Sequence, residues 1–322
     1  MAESILEVSD LKVHYSTARG PIRAVEGITF AIEKGERFGL VGESGSGKTT
    51  SAFAMLRLIE PPGHIEGGRV VLDGIDLLRL TNEEMRKARF AQISLIPQGA
   101  MNSLNPVMRV SHQITDTIRA HGGWTDGESL DQRVADLLAS VGLEPDVATM
   151  YPHELSGGMK QRVCIAMAIS LSPMLIIADE PTSALDVVVQ RQVMQTLTQV
   201  QERLGASIIF VGHDMGLMAQ FVDRIGVMYA GKLVEIGPVN ELFRDPQHPY
   251  TQLLIGSLPS LETKRVFKGI PGLPPSLLSP PPGCSFNPRC PRVMDHCSVD
   301  EPPLLEQYPR RWVACHLYGD GR

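Results

Sequence analysis

A chain of 322 residues, 43% of them hydrophobic, is long enough for one large or two ordinary domains and carries ample core material. Its net charge of −6 argues against general nucleic-acid binding, which a basic balance or stripe would mark. No run approaches the roughly eighteen apolar residues of a membrane span, and Met1-Ala2-Glu3-Ser4 lacks the parts of a signal peptide. The expectation is a cytosolic chain whose membrane connection, if any, comes through a partner.

Taken in order, residues 5 to 41 carry short alternating segments, Leu6/Val8, Leu11/Val13/Tyr15 and Val25/Ile28/Phe30/Ile32, which predict antiparallel strands and turns. Arg37 to Val41 reads as a buried strand and Ser51 to Leu56 as a helix, and between them Gly42-Glu43-Ser44-Gly45-Ser46-Gly47-Lys48-Thr49-Thr50 fits G-x-x-x-x-G-K-[ST]. Strand, loop and helix are the context that this phosphate-binding pattern requires. Gly42, Gly45 and Gly47 let the backbone turn its N–H groups towards phosphate oxygens, and the helix start adds its positive dipole end. Lys48 would neutralise β/γ-phosphate charge and the Thr49 hydroxyl would ligate Mg²⁺; Ser44, Ser46 and Thr50 complete the candidate nucleotide-binding stretch.

After Pro61-Pro62-Gly63, Gly68 to Leu72 with Asp73-Gly74 predicts a strand and tight turn, and Ile93 to Pro97 returns to the core. From Gly99 to Pro152 the pattern is helical: Leu130, Val134, Leu137, Leu138 and Val141 recur at helical spacing and stop at Gly142, preceded by a loop at Gly122-Gly123-Trp124. Met174 to Asp179 and Ser207 to Gly212 are apolar strands flanking an amphipathic helix over Val187 to Leu204, the alternation of a parallel sheet. Val227-Met228-Tyr229, Ala230-Gly231 and Lys232 to Ile236 predict a hairpin. Beyond it 14 of the 24 prolines follow Phe243, which places a domain boundary near residue 240.

Asp179 and Glu180 end the most apolar strand, where ligands bind in such sheets. Asp179 would hold Mg²⁺ through water and Glu180 would orient or deprotonate an attacking water; taken alone, the pair could equally cap the next turn. His213 follows another apolar strand, and its imidazole could bond a γ-phosphate, whereas a lone His is often a bystander. Ser156-Gly157-Gly158 precedes a helical run from Val163 to Ile169, a second candidate anion-binding helix start or an ordinary capped helix. A head-to-tail dimer, in which the second start closes over the nucleotide held by the first start of the other subunit, would explain two of them in one chain.

In this order the motifs of residues 5 to about 240 resemble the ATP-binding subunit of an ABC transporter. The resemblance implies that Tyr15 stacks on adenine and that Gly42 to Thr49 is the Walker A loop. It makes Gln98 the glutamine that senses Mg²⁺ and faces the permease, and Leu155 to Met159 the signature. Asp179 and Glu180 become the Walker B pair, Ser183-Ala184-Leu185-Asp186 the D-loop, and His213 the switch histidine. Catalysis is thus expected from Glu180, His213 and Gln98, and Mg²⁺ at Thr49, Gln98 and Asp179. Asn102-Ser103-Leu104-Asn105-Pro106, Asp186-Val187-Val188-Val189-Gln190 and His248-Pro249-Tyr250-Thr251 are similar to the oligopeptide, dipeptide and nickel importer subfamily. Two departures stand out: Met159 where the wider family has Gln, and Gln98-Gly99-Ala100 for the commoner Gln-Asp-Pro, the latter where a permease would dock.

Cys284-x5-Cys290-x6-Cys297-x17-Cys315 leaves four thiols in a Pro-rich segment with little helix or strand pattern, which would gain from a crosslink or metal. Disulfides are disfavoured in a cytosolic chain. Spacing alone leaves a [4Fe-4S] cluster, Zn²⁺ and unliganded thiols open; resemblance to peptide-importer ATPases, some with four cysteines here as a [4Fe-4S] site, implies the cluster, with Zn²⁺ as the alternative. Cys164 reads as core.

The expected fold is therefore α/β: a P-loop NTPase core of ABC type (1–240) with an antiparallel β subdomain and an inserted helical subdomain (about 99–170), followed by an irregular Cys-rich extension (241–322). The expected function is ATP hydrolysis that powers uptake of a solute, a peptide first, with oligosaccharide or nickel as alternatives. The partners implied are a second, homologous ABC ATPase in a heterodimer or a homodimer, two transmembrane permease subunits and, indirectly, an extracytoplasmic solute-binding protein, with no nucleic acid and a location on the cytoplasmic face of the membrane. The rival is a non-transport ABC ATPase acting on ribosomes or nucleic acid.

Overall fold

The computed structural model describes residues 3–122, 129–183, 185–258 and 269–318. In chain order the elements are β1 (Ser4–Thr17), β2 (Gly20–Glu33), β3 (Arg37–Val41), α1 (Lys48–Met55), β4 (Gly63–Leu72), β5 (Ile75–Asp76), α2 (Asn82–Ala91) and β6 (Ile93–Ile96). Then come α3 (Val110–Ala120), α4 (Leu130–Ser140), α5 (Gly157–Ala168), β7 (Leu175–Asp179), α6 (Val187–Leu204), β8 (Ser207–Gly212) and α7 (Met215–Met218). The chain closes with β9 (Arg224–Tyr229), β10 (Lys232–Pro238), α8 (Val239–Arg244), α9 (Pro249–Gly256), β11 (Leu305–Tyr308) and β12 (Arg311–Val313). These elements form two compact units, neither of them continuous in sequence.

One unit holds Glu33–Arg37 and Arg79–Phe210. Its strands β6 and β7 pair in parallel, Ile93 opposite Leu175 and Ile96 opposite Ala178, and β8 lies beside β7. Every residue of β7 is buried, as expected of a parallel strand covered on both faces. The helices obey their apolar spacing: Val110, Ile114 and Ile118 of α3, and Val134, Leu137 and Leu138 of α4, are all buried. Asp186 caps α6 by accepting the N–H groups of Val188 (3.1 Å) and Val189 (3.0 Å), and Gly205 ends it at φ 63°. The loop expected at Gly122-Gly123-Trp124 lies, from Gly123 on, outside the described residues, as does Ala184 of the expected D-loop.

The other unit holds Ser4–Ile32, Phe38–Leu78 and the chain from Val211 on. Here an antiparallel sheet runs in the order β2-β1-β4-β5, with Leu6 opposite Leu72 and Tyr15 opposite Gly63. The short alternating segments of the sequence are in fact two strands of 14 residues each, and β4 starts at Gly63 instead of Gly68. Strand β3 pairs in parallel with β9, Phe38 opposite Arg224 and Val41 opposite Val227. The expected hairpin is present: β9 turns into β10 through Ala230 (φ 47°) and Gly231 (φ 82°). Two consecutive positive φ values match the right-handed twist of the strands they join.

The tail departs from the irregular segment expected. Its last part is a hairpin, β11 and β12, and β12 adds to β10 with Glu235 opposite Val313. The boundary placed near residue 240 falls inside α8, and residues on both sides of it belong to one compact unit. The hairpin escaped notice because β12 is three residues long and owes its place to the free edge of β10, not to its own pattern. Helix α2 was also unread, although Thr81 and Glu84 form a capping box in which each side chain accepts the other's N–H (3.2 and 2.7 Å).

Candidate active site

The phosphate loop leaves β3 at Val41 with Gly42 at φ 153°, Gly45 at 78° and Gly47 at 100°. Gly42 and Gly47 have no room for a side chain: a Cβ on Gly42 would stand 2.2 Å from the Met228 oxygen, and one on Gly47 2.3 Å from that of Ala24. Gly47 is the N-cap of α1 and supplies no side-chain acceptor to the helix start. Lys48 is buried, and its Nζ donates to the carbonyls of Gly42 and Glu43 (2.9 Å each) and to Ser46 Oγ (3.3 Å). Ser44 and Gly45 are exposed, Ser46 is buried, and Thr49 and Thr50 are half-buried. Tyr15, on β1 of the same unit, sets its ring against Gly63, where a Cβ would meet it at 2.6 Å. His213, directly after β8, is exposed.

The other unit brings together two of the expected catalytic residues. Asp179 ends β7 fully buried, and Glu180 follows at φ 44°, a left-handed conformation that a non-glycine residue adopts at a cost. That turn sends its carboxylate to Gln98, whose Nε2 donates to Glu180 Oε2 at 2.8 Å. Gln98 stands two residues past β6, the strand paired with β7, so the parallel register delivers both side chains to the carboxyl ends of adjacent strands. Ser156 is the N-cap of α5, its Oγ accepting the Met159 N–H at 3.3 Å. Ser156 and Gly157 are exposed, while Gly158 is packed so closely on Val189 that a Cβ would stand 2.7 Å from its Cγ1.

Two residues from far along the chain, Tyr250 and Arg289, hold Glu43 of the phosphate loop. Tyr250, from the His-Pro-Tyr-Thr stretch, accepts the Glu43 N–H on its hydroxyl at 2.9 Å. Arg289 makes a two-pronged ion pair with the Glu43 carboxylate at 2.7 and 3.1 Å. Glu43 itself was read only as a variable position of the motif. Arg289 lies 246 residues from its partner, and no local pattern announces such a contact. The His248 side chain caps α9 by accepting the Tyr250 N–H (3.0 Å), and Pro249 occupies the first turn, which fixes where Tyr250 points.

The four tail cysteines, Cys284, Cys290, Cys297 and Cys315, line one cavity together with His248 and Phe286. Burial raises the thiols of Cys284, Cys290 and Cys315 above their ordinary value, the last to about 11. Among the described residues no group of three or more His, Cys, Asp or Glu side chains has the arrangement of a metal site. Cys164 is core as expected: its Sγ lies 3.2 Å from the Ala100 oxygen, and burial pushes its thiol up to about 12. Among the described residues no helix is long and apolar enough to cross a membrane.

Comparison with known proteins gives two family matches: ABC transporter over residues 25–183, and the oligopeptide/dipeptide transporter C-terminal region over residues 234–297. The chain is 44% identical over 321 residues to the dipeptide transport ATP-binding protein DppD of Caldanaerobacter subterraneus subsp. tengcongensis, covering 99% of this chain and 98% of that one. It is 42% identical to the oligopeptide transport ATP-binding protein OppD of Bacillus subtilis (96% and 88% covered) and 42% identical to DppD of Escherichia coli (97% and 96%). Among solved structures it is similar to the ATP-binding cassette MJ0796 in a dimeric, post-hydrolysis state bound to ADP and Pi (TM-score 0.64, 28% identity, 73% of this chain and 98% of that one). It is also similar to cbiO1 of Clostridium perfringens, part of an ABC transporter complex (TM-score 0.63, 26% identity, 76% and 92%).

Proposed function

Because the chain belongs to the ATP-binding proteins of the ABC transporter family, in its oligopeptide/dipeptide branch, we propose that it hydrolyses ATP to power uptake of a peptide through a separate membrane permease. The observation that carries the ATPase reading is the phosphate loop: three glycines held at positive φ, the last of them the N-cap of α1, followed at once by the buried Lys48. The cargo rests on the relatives, which are dipeptide and oligopeptide transport proteins. None of these relatives supports the rival reading of an ATPase acting on ribosomes or nucleic acid.

In this reading the loop N–H groups and Lys48 bind the β- and γ-phosphates, and Tyr15 stacks on the adenine. Thr49, Gln98 and Asp179 would hold Mg²⁺, which supplies charge neutralisation on the phosphate oxygens. With its Nε2 given to Glu180, Gln98 has the amide oxygen to offer a cation. Glu180 accepts a proton from, or aligns, the attacking water, and the Gln98 amide keeps its carboxylate aimed. His213 bonds the γ-phosphate, and Ser156 to Gly158 of a second ATPase subunit, homologous or identical, close over the nucleotide. Two permease subunits and an extracytoplasmic binding protein complete the assembly, with this chain on the cytoplasmic face of the membrane.

The tail thiols suit in number and chemistry a [4Fe-4S] cluster or Zn²⁺ and line one cavity, although in this structure they are not arranged as a metal site. Metal analysis and visible absorption of anaerobically purified protein decide this; colourless protein that contains zinc but no iron excludes the cluster.

Hydrolysis and peptide uptake in vesicles carrying the co-purified permease test the main reading. The Lys48→Ala variant should lose both. Full uptake by that variant, or ATPase activity stimulated by ribosomes and not by the permease, would overturn it.

A further inference from the structure

The C-terminal tail does more than extend the sheet: it grips the second residue of the phosphate loop. Glu43 is held at three points. Its N–H donates to the Tyr250 hydroxyl at 2.9 Å, its carboxylate pairs with both terminal nitrogens of Arg289 at 2.7 and 3.1 Å, and its carbonyl accepts Lys48 Nζ at 2.9 Å. Two of the anchors come from the tail, and the third is the lysine that the nucleotide needs.

Arg289 is itself fixed. Its side chain is 4% exposed, its Nε donates to the Pro271 carbonyl at 2.8 Å, and its guanidinium lies 5.7 Å over the Tyr229 ring while donating to that residue's hydroxyl at 3.2 Å. A two-pronged guanidinium–carboxylate pair constrains orientation as well as distance. Tyr250, fully buried, packs against Tyr229 and Phe286 at ring distances of 4.6 and 5.4 Å, so its hydroxyl is equally immobile. A glycine-rich loop has little rigidity of its own, and a misplacement of about 1 Å in a reacting group can cost on the order of a hundredfold in rate.

We propose that Arg289, assisted by Tyr250, is a positioning residue for the phosphate loop: by holding Glu43 from the tail it places Lys48 for the β- and γ-phosphates of a bound nucleoside triphosphate. The proposal rests on the nucleotide-binding reading of the loop. It gives the His-Pro-Tyr stretch and the segment between Cys284 and Cys290 a shared task, since each delivers one anchor to the same residue. Arg289 acts through Glu43 and touches no substrate.

The test is MgATP affinity of the full chain, read by calorimetric titration of Glu43→Gln, Arg289→Gln and the double variant. Glu43→Gln removes the ion pair and leaves every tail contact of Arg289 in place, so it separates positioning from folding of the tail. Each single variant should bind MgATP about fivefold or more weakly, and the double variant no more weakly than the weaker single, since both changes cut one connection. Tyr250→Phe, which keeps the ring packing and removes the hydroxyl, should weaken binding in the same direction. Wild-type affinity in Glu43→Gln, or losses that multiply in the double variant, would overturn the positioning role. Lys48→Ala measured alongside distinguishes the two levels: if it binds MgATP as tightly as wild type, the nucleotide reading fails, whereas loss of binding there beside full affinity in Glu43→Gln removes only the role of Arg289.

Discussion

Glu180 occupies a backbone conformation, φ 44°, that a residue with a side chain adopts only where its surroundings require it. The consequence is a carboxylate turned to Gln98 directly beyond a fully buried strand. Glu180→Gln keeps the shape and removes the proposed base, so on that proposal it should bind MgATP at wild-type affinity, lower hydrolysis by roughly a hundredfold or more, and accumulate closed dimers. Single-turnover phosphate release and gel filtration with MgATP check this; undiminished steady-state hydrolysis would remove the base from Glu180. Cys164 gives a second residue-level expectation. With its thiol raised to about 12 by burial, the folded protein keeps it protonated where the unfolded chain, near 9, begins to lose the proton. Its contribution to stability is therefore complete below about pH 9 and falls as pH rises towards 12, by up to about 1.4 kcal/mol per pH unit. Denaturant titrations at pH 8 and 10 should show a steeper loss for wild type than for Cys164→Ala, and alkylating reagents at pH 8 should leave Cys164 unmodified until the protein unfolds.

At the level of elements, α6 runs over Val187–Leu204 as its sequence periodicity requires, and Asp186 starts it. Asp186 also stands at the end of the expected D-loop, so its capping and any role across a dimer interface must be separated. Asp186→Ala removes an acceptor for two backbone N–H groups and should cost about 1 kcal/mol in stability. Asp186→Asn retains the cap and should match wild type in thermal unfolding; a loss of hydrolysis in that variant alone would assign the carboxylate a task beyond starting the helix. The elements read correctly from sequence share one property: the signal is local. Continuous apolar runs made β7 and β8 legible, a 3.6-residue period made α4 and α6 legible, and two turn residues located the β9–β10 hairpin. Strand β12 carries no such signal, because three residues hold too little pattern; it is a strand through pairing with β10.

For the whole molecule, the tail is the part whose weight changes most. Val313, Phe286 and Tyr250 are buried to within about 1%, and Arg311, itself buried, lies 3.8 Å from the fully buried Glu235 carboxylate. A chain ending at residue 240 would uncover the apolar groups facing these side chains and leave Glu235 without that cation, at a cost of several kcal/mol. Its thermal unfolding midpoint should fall by roughly 10 °C or more, as judged by circular dichroism, relative to the full chain. An equal midpoint would show that residues 1–240 form a self-sufficient domain and that the tail is an accessory.

What the amino-acid order alone offered was a set of candidates for the site: the G-x-x-x-x-G-K-T loop, the Asp179-Glu180 pair, His213 and the Ser-Gly-Gly helix start, to which the family resemblance added Gln98. Each is a short motif on a strand end or helix start, and such motifs are legible because the chain has to satisfy them within a few residues. The tertiary structure alone decided that Gln98 meets Glu180 across paired strands and that Tyr250 and Arg289 reach back to Glu43. Those contacts join residues 82 to 246 positions apart where a hydrogen bond or ion pair connects them. Contacts at such separation are set by register and packing, which no local pattern encodes. The phosphate loop was therefore readable as a site from its own nine residues, while the hold that the tail keeps on it became visible only once the chain had folded.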